Sequence, residues 1–218
     1  SQYSYIPAPT VTGVSPASGP LAGGAPVTIT GTNFNGAYAV WFGSEIATSL
    51  VVVDATTITA VTPVVGAVQP ADAGPKSTRN PGPVNVRVAT QGGDGTGTGL
   101  YTYVAAPAIA SVSPATGLPT GGTSVVITGT NFSGATAVTF GGTSATSFTV
   151  DSATQITAVT PAHAAGSVDV AVTTVGGTVT SSRAYSYELS PTAMLLGTAK
   201  TPTFLGESAT FTARMTSY

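Results

Sequence analysis

The chain has 218 residues, with six Lys and Arg against eight Asp and Glu, and a formal net charge of −2. Charged residues make up 6% of the sequence, against roughly 25% in an average soluble domain, so the chain lacks the basic patch that a nucleic-acid-binding protein needs. The sequence contains no apolar run of about 18 residues and no Cys, so it predicts no membrane span, no disulfide and no thiolate zinc site.

An internal repeat is the most informative feature of the sequence. Val11–Pro63 aligns without a net gap with Ile109–Pro161, which lies 98 positions later, and about 32 of the 53 aligned positions are identical. Further along, Val84–Tyr103 matches Val168–Tyr187 at an offset of only 84. The first copy therefore contains an insertion of 14 residues (98 − 84).

Each copy contains short strand-like segments in the same order. In the first copy these are Val27–Thr30, Val40–Phe42, Ile58–Thr62 and Val84–Val88, and each has its counterpart in the second. The last segment alternates with period 2, which indicates one buried and one exposed face, and Gly92-Gly93 supplies a turn into a final strand. Because such strands recur about every 10 residues and no window has a helical period, the sequence predicts two antiparallel β-sandwiches.

Six motifs occur in both copies and carry a family resemblance. They are V-S-P at Val14–Pro16, G-G at Gly23-Gly24, I-T-G-T-N-F at Ile29–Phe34, V-x-F-G at Val40–Gly43, I-T-A-V-T-P at Ile58–Pro63 and Y-x-Y at Tyr101–Tyr103. In this pattern each copy resembles the IPT/TIG domain. The resemblance implies an immunoglobulin-like fold. It also implies several possible settings, because such domains occur in surface receptors, Rel-type transcription factors, bacterial surface proteins and secreted polysaccharide-degrading enzymes.

The motif residues also have structural interpretations of their own. Gly31 and its counterpart Gly129 are predicted to adopt a positive φ in a turn, where a side chain would strain the backbone. Asn33 and Asn131 are predicted to bond the local backbone of that turn. The cores of the two copies are predicted to contain the motif phenylalanines Phe34, Phe42, Phe132 and Phe140.

The repeat divides the chain into domains. It predicts a first IPT/TIG domain at residues 6–104, with an inserted loop at 65–80, and a second at 105–188. Residues 1–5 match the closing strand of a copy and are predicted to be the last strand of a preceding repeat or an orphan strand. Residues 189–218 resemble the opening of another bacterial Ig-like repeat. The predicted fold is therefore all-β, with two tandem immunoglobulin-like antiparallel β-sandwiches and a partial C-terminal β segment.

Two explanations account for the strands at the two ends. In the first, the chain is a piece of a longer multidomain protein. In the second, an incomplete sheet accepts a strand from a neighbouring chain, and Tyr3, Tyr5 and Phe211 are the residues of the exchanged strands.

The sequence contains no pattern that fits a catalytic or ligand-binding site. The one histidine, His163, lies in a predicted surface loop without the nucleophile and orienting acid of a triad. The acids are scattered singly, whereas a glycosidase needs two facing carboxylates and a calcium site needs several together. The Gly-rich stretch around Asp94 is predicted to be a hairpin turn. We therefore expect a protein that is not an enzyme and has no cofactor and no metal site.

Differences between the copies point to one candidate interaction surface. Trp41, the single Trp of the chain, stands where the second copy has Thr139, and strand alternation directs it away from the core residues Val40 and Phe42. One alternative is that this face binds a sugar ring or a partner protein, and the other is that the inserted loop folds over it. The predicted interaction face consists of Tyr38, Trp41, Glu45, Lys76 and Arg79.

The leading functional interpretation is a non-catalytic structural or adhesive module of a bacterial extracellular or cell-surface protein. The linkers between repeats are short and contain Pro, so the module is expected to act as a semi-rigid spacer or scaffold. Its expected partners are other domains of the same protein or neighbouring copies. One alternative is an accessory region of a secreted polysaccharide-degrading enzyme, with a glycan as partner. The other is a virion or extracellular-filament subunit assembled by strand complementation.

Overall fold

The computed structural model describes residues 5–64 and 81–190, which form two sets of strands in the same order. The first set is β1 (Thr10–Ser15), β2 (Ser18–Pro20), β3 (Pro26–Thr32), β4 (Ala39–Phe42), β5 (Glu45–Ile46), β6 (Thr48–Asp54), β7 (Thr57–Val61), β8 (Gly82–Thr90) and β9 (Gly93–Val104). The second set is β10 (Ala108–Ser113), β11 (Thr116–Gly117), β12 (Ser124–Thr130), β13 (Ala137–Phe140), β14 (Thr143–Ser144), β15 (Ser147–Ser152), β16 (Gln155–Val159), β17 (Gly166–Thr174) and β18 (Gly177–Tyr187).

Each set forms a sandwich of a four-stranded and a five-stranded sheet. In the first repeat the strand orders are β1-β3-β7-β6 and β2-β9-β8-β4-β5, and the second repeat has the equivalent orders β10-β12-β16-β15 and β11-β18-β17-β13-β14. The predicted tandem all-β sandwich is confirmed. One pairing in each repeat departs from the antiparallel prediction, because β2 pairs with β9, and β11 with β18, in parallel. These strands have only three and two residues, too few for alternation to reveal them.

The core of each repeat lies between its two sheets. Inward positions alternate with outward ones along the strands, as period 2 requires, and the four motif phenylalanines are at most 1% exposed. This confirms them as core residues. The buried clusters of the two repeats occupy equivalent positions, so the sequence identity between the copies preserves the interior.

The predicted hairpin after β8 is also present. Gln91 and Gly92 connect β8 to β9, and Gly93 follows with a φ of 119°. Asp94 lies in β9, opposite Ala89 in β8. The Gly-rich stretch is therefore explained by a strand connection.

The glycine of the T-G-T-N-F motif has a different role from the predicted one. Gly31 lies within β3 without a positive φ, and a Cβ there would overlap the carbonyl oxygen of Thr10 in β1. The positive φ of 58° belongs to Asn33, two residues later, and the second repeat repeats this geometry. The prediction of a turn glycine is wrong, because this position needs glycine for the close approach of β1.

Candidate functional site

A hydrogen bond joins two motifs that are far apart in the sequence. The hydroxyl of Tyr103, in β9, donates to the carbonyl oxygen of Pro63 at 3.1 Å, and Tyr187 donates to Pro161 at 2.9 Å. Both tyrosines are 1% exposed, and burial raises the pKa of each above its ordinary value of about 10. The phenols therefore remain protonated and able to donate. The Y-x-Y and I-T-A-V-T-P motifs together hold each sandwich closed.

The first tyrosine of the Y-x-Y motif acts through its ring. In the second repeat the buried hydroxyl of Tyr185 has no hydrogen-bond partner in the structure. It lies against Gly117, where a Cβ would overlap the hydroxyl oxygen. The ring contacts Tyr187 and Phe140 edge to face, with centroids 5.0 Å and 5.4 Å apart. This position fills the core and offers no polar group to a ligand.

The asparagine of the T-G-T-N-F motif binds the segment that precedes its own repeat. The side-chain amide of Asn131 donates to the carbonyl oxygen of Ala106 at 2.8 Å, and Asn33 donates to Ala8 at 3.0 Å. Each partner lies 25 residues away in the chain, so the prediction of a bond to the local backbone is wrong. These bonds fix the approach of the chain to each repeat.

The linker between the two repeats is attached at consecutive residues. The carbonyl oxygen of Val104 accepts a hydrogen bond from the backbone N–H of Leu21 in the first repeat, at 3.0 Å. The next carbonyl, of Ala105, packs against Gly176 so closely that a Cβ there would overlap it. Ala106 is then bound by Asn131, as described above. The attachment therefore passes from one repeat to the other within three residues.

Trp41 lies on the outer face of the five-stranded sheet, and an arginine side chain packs over its ring. The guanidinium carbon of Arg87, on the neighbouring strand β8, lies 3.7 Å from the ring centroid, which is the geometry of a cation–π contact. Asp94 accepts a hydrogen bond from Arg87 at 2.8 Å and holds the guanidinium in place. The side chain of Trp41 is half-buried.

All three residues of this stack are specific to the first repeat. The aligned positions of the second repeat hold Thr139, Ala171 and Thr178. Sequence comparison identified Trp41 but missed Arg87 and Asp94, although the same comparison of the two copies carries their signal. Only the fold shows that Trp41 and Arg87 lie opposite each other on neighbouring strands.

Of the other predicted interaction residues, Tyr38 and Glu45 lie in the described part of the chain. Tyr38 is 66% exposed. Glu45 is only 4% exposed, and its negative charge adds to the raised pKa of the buried Tyr103. It is therefore a buried residue and not part of an exposed face. Lys76 and Arg79 lie outside the described residues.

The residues predicted for strand exchange are placed only in part. Tyr5 is 80% exposed, whereas its aligned residue Tyr103 is buried in the first repeat. Tyr3 and Phe211 lie outside the described residues. Strand complementation at the ends of the chain therefore stays a prediction.

His163 lies in the loop between β16 and β17. Its ring stacks on Tyr187, with centroids 5.1 Å apart and an angle of 17° between the planes. Its Nδ1 lies 2.9 Å from the carbonyl oxygen of Ala164, and its backbone N–H donates to Pro119. The ring covers the end of the core.

The described residues contain no group of three or more His, Asp or Glu side chains arranged to hold a metal ion. In the same part of the chain, no helix has the length and apolar character needed to cross a membrane.

The fold and its recurrent motifs define a tandem array of immunoglobulin-like sandwiches. The family model of the IPT/TIG domain matches residues 9–104 and again 107–187. The chain belongs to the IPT/TIG domain family. No curated protein matches it by sequence.

Comparison with solved structures finds two structures of a plexin extracellular region and a Bacteroides protein. The plexin A4 extracellular region, domains 1 to 10, is 24% identical and has a TM-score of 0.53, with 86% of this chain and 16% of that chain covered. A plexin A4 structure of domains 1 to 8 is 25% identical (TM-score 0.49; 85% and 18% covered). SGBP-B from a xyloglucan utilization locus in Bacteroides uniformis is 25% identical (TM-score 0.36; 83% and 50% covered). The chain thus spans less than a fifth of the plexin chains and half of SGBP-B, and the first comparison supports the fold alone.

Proposed function

We propose that the chain is a non-catalytic spacer that holds neighbouring domains of a bacterial extracellular or cell-surface protein at a fixed distance and orientation. The supporting observation is the linker at residues 104–107. The carbonyl of Val104, the last residue of β9, is bound by Leu21 of the first repeat, whereas the carbonyl of Ala105 packs against Gly176 and that of Ala106 is bound by Asn131 of the second. These contacts and Pro107, whose φ is fixed, support a linker with little freedom to act as a hinge.

The distribution of the motif residues supports the same function. The tyrosines, asparagines and glycines that recur in both repeats close the sandwich or attach the linker. When the recurrent residues of a module serve these two tasks, each domain is held at a set position relative to the next. An extracellular setting agrees with the Thr- and Ser-rich surface and with the range of proteins in which this family occurs.

Distance measurement between the repeats tests the spacer function. The chain has no Cys, so Thr98→Cys in β9 and Thr149→Cys in β15 introduce one spin label on each repeat at an exposed position. Diluting the labelled protein with unlabelled protein removes distances between chains. Double electron–electron resonance should give a single narrow distribution for the native linker. Asn131→Gly, which keeps the positive φ but removes the bond to Ala106, should broaden it.

The first repeat provides a matched control for this experiment. Asn33→Gly removes the equivalent hydrogen bond, to Ala8, and leaves the linker between the labels intact. Its distance distribution should equal that of the native linker. A broad distribution without any substitution, or equal broadening by Asn33→Gly, would show that the linker does not fix the repeats.

A polysaccharide-binding role for the Trp41 face is less favoured by the geometry. Arg87 lies over the ring where a sugar would stack, and Asp94 holds it there. Binding would have to displace an ion-paired guanidinium. A polysaccharide pull-down with the native chain and with Trp41→Thr, the residue of the second repeat, tests this role. Retention that depends on Trp41 would establish it.

A further inference from the structure

The β6 strand of the first repeat presents an apolar row at the edge of its sheet. Among the described strands it pairs only with β7 and is the last strand of the sheet. Leu50 and Val52 turn inward against the core, whereas Val51 and Val53 are 55% and 58% exposed. An edge strand with exposed valines is a ready template for pairing with another strand.

The equivalent strand of the second repeat carries a charge at this place. Thr149 and Asp151 of β15 align with Val51 and Val53. The carboxylate of Asp151 accepts a hydrogen bond from the hydroxyl of Thr157 at 2.7 Å. Charged side chains on edge strands are a common protection against edge-to-edge pairing. The two repeats share most of their sequence, yet β6 has the uncharged Val53 where β15 has Asp151.

We propose that β6 pairs antiparallel with β6 of a second copy of the chain, around a two-fold axis at Val52. The two four-stranded sheets would then join into one continuous sheet. Val51 of each copy lies opposite Val53 of the other, so four valines meet on the outer face. Cross-strand pairs of β-branched residues stabilise such a sheet. This pairing uses none of the residues predicted for strand exchange at the ends of the chain, and it is independent of the spacer function.

The charge of β6 is compatible with a second copy of this strand as the occupant. Asp54 is the only charged residue of β6, and in this arrangement the two Asp54 residues are four positions apart, about 13 Å along the strand. That distance exceeds the screening length of about 10 Å at 0.1 M salt. The same arrangement of β15 around Val150 would place two Asp151 carboxylates only about 7 Å apart. Two β6 strands can thus pair without close contact between like charges, whereas two β15 strands cannot.

The pairing segment is short, so the dimer is weak. Register shifts between Thr48 and Val51 and between Val52 and Asp54 leave only Val51 and Val52 in regular pairing with β7, and Val53 lies within the second shift. A contact of this size is at the small end of protein interfaces. The association should therefore be measured over a wide range of protein concentration.

Sedimentation of the chain tests the proposal. Between about 1 μM and 1 mM we expect a concentration-dependent monomer–dimer equilibrium. Val51→Thr with Val53→Asp, which gives β6 the residues of β15, should raise the dissociation constant at least about tenfold. Val175→Thr changes another exposed valine, at the hairpin between β17 and β18, and should leave the constant unchanged.

The alternatives are decided by the same measurements. A monomer throughout the range would overturn the proposal. A dimer that persists when β6 has the residues of β15 would place the contact on another surface and would overturn it equally. Circular dichroism confirms that the variants are folded.

Cysteine cross-linking tests the register directly. In the proposed pairing, residue 51 of one copy is directly opposite residue 53 of the other, at a Cβ separation of about 5 Å, whereas the two residues 51 are about 7–8 Å apart. A mixture of Val51→Cys and Val53→Cys chains should form mixed disulfides faster than either chain alone. Equal rates, or no cross-linking, would contradict the register.

Discussion

The two buried tyrosines of each Y-x-Y motif differ in how their hydroxyl groups are satisfied. Tyr187 satisfies the buried carbonyl of Pro161, whereas Tyr185 places an unpaired hydroxyl against Gly117. A hydrogen bond stabilises a fold mainly because its loss leaves the partner unsatisfied. A hydroxyl without a partner contributes only the cost of its own desolvation.

Removal of the two hydroxyls should therefore have opposite results. Tyr187→Phe leaves the Pro161 carbonyl buried without its donor and should destabilise the second repeat by about 1–3 kcal/mol. Tyr185→Phe should be neutral or stabilising. Denaturant unfolding followed by circular dichroism measures both. Trp41 fluorescence reports on the first repeat and should give the same midpoint in both variants. Equal losses of stability in the two variants would contradict the different roles of the two hydroxyls.

The same tyrosines predict an alkaline limit of stability. Burial raises the pKa of Tyr101, Tyr103 and Tyr187 above the ordinary value of about 10. Since the folded state binds these protons more tightly than the unfolded state, stability is complete below pH 10 and falls as the pH rises further. Unfolding midpoints measured between pH 8 and 12 should decline above about pH 10, and phenolate absorbance of these three residues should appear only with unfolding. Ionisation of all tyrosines in the folded protein would contradict this.

At the scale of the strand, one glycine decides whether β1 can pair with β3. The register opposes Val11 to Gly31 and then shifts, so that Gly13 pairs with Thr30. The carbonyl of Thr10 occupies the space that a Cβ at Gly31 would need. The bulge and the glycine are therefore parts of one arrangement.

Gly31→Ala should separate β1 from β3 and cost about 2–3 kcal/mol or more. The matched control is Gly24→Ala. That position has a φ of 80° but open space around it, so the cost is the conformational penalty of about 1 kcal/mol. Trp41 fluorescence in denaturant measures both variants. A loss at Gly31 no larger than that at Gly24 would show that β1 adjusts without strain.

The sequence predicts the strands well because alternation and the repeat are local signals. β3, β4, β7 and β8 match predicted segments. It does not predict β2, whose parallel pairing with β9 is decided by a distant strand. Nor does it predict the burial of Glu45 or the reach of Asn131 to Ala106, because both depend on what the folded chain brings near. In the candidate site, alternation directs Trp41 outward but cannot reveal Arg87 as its neighbour.

At the scale of the whole molecule, two nearly equivalent sandwiches differ in what their outer surfaces can do. The first has the Trp41 stack and Val53 on its β6 edge, whereas the second has Thr139 and Asp151 on its β15 edge. One self-complementary edge per chain gives a two-fold dimer that closes on itself. The charge of Asp151 on the second edge then limits assembly to that dimer.

Removal of this protection should change a closed dimer into an open polymer. Thr149→Val with Asp151→Val gives β15 the residues of β6, so each chain acquires two self-complementary edges and can join two neighbours. Sedimentation should show species that grow with concentration, and electron microscopy should show linear arrays. Addition of Val51→Thr and Val53→Asp to the same chain leaves only the β15 edge and should restore a simple dimer. If the chain with two apolar edges still stops at a dimer, Asp151 is not what limits assembly.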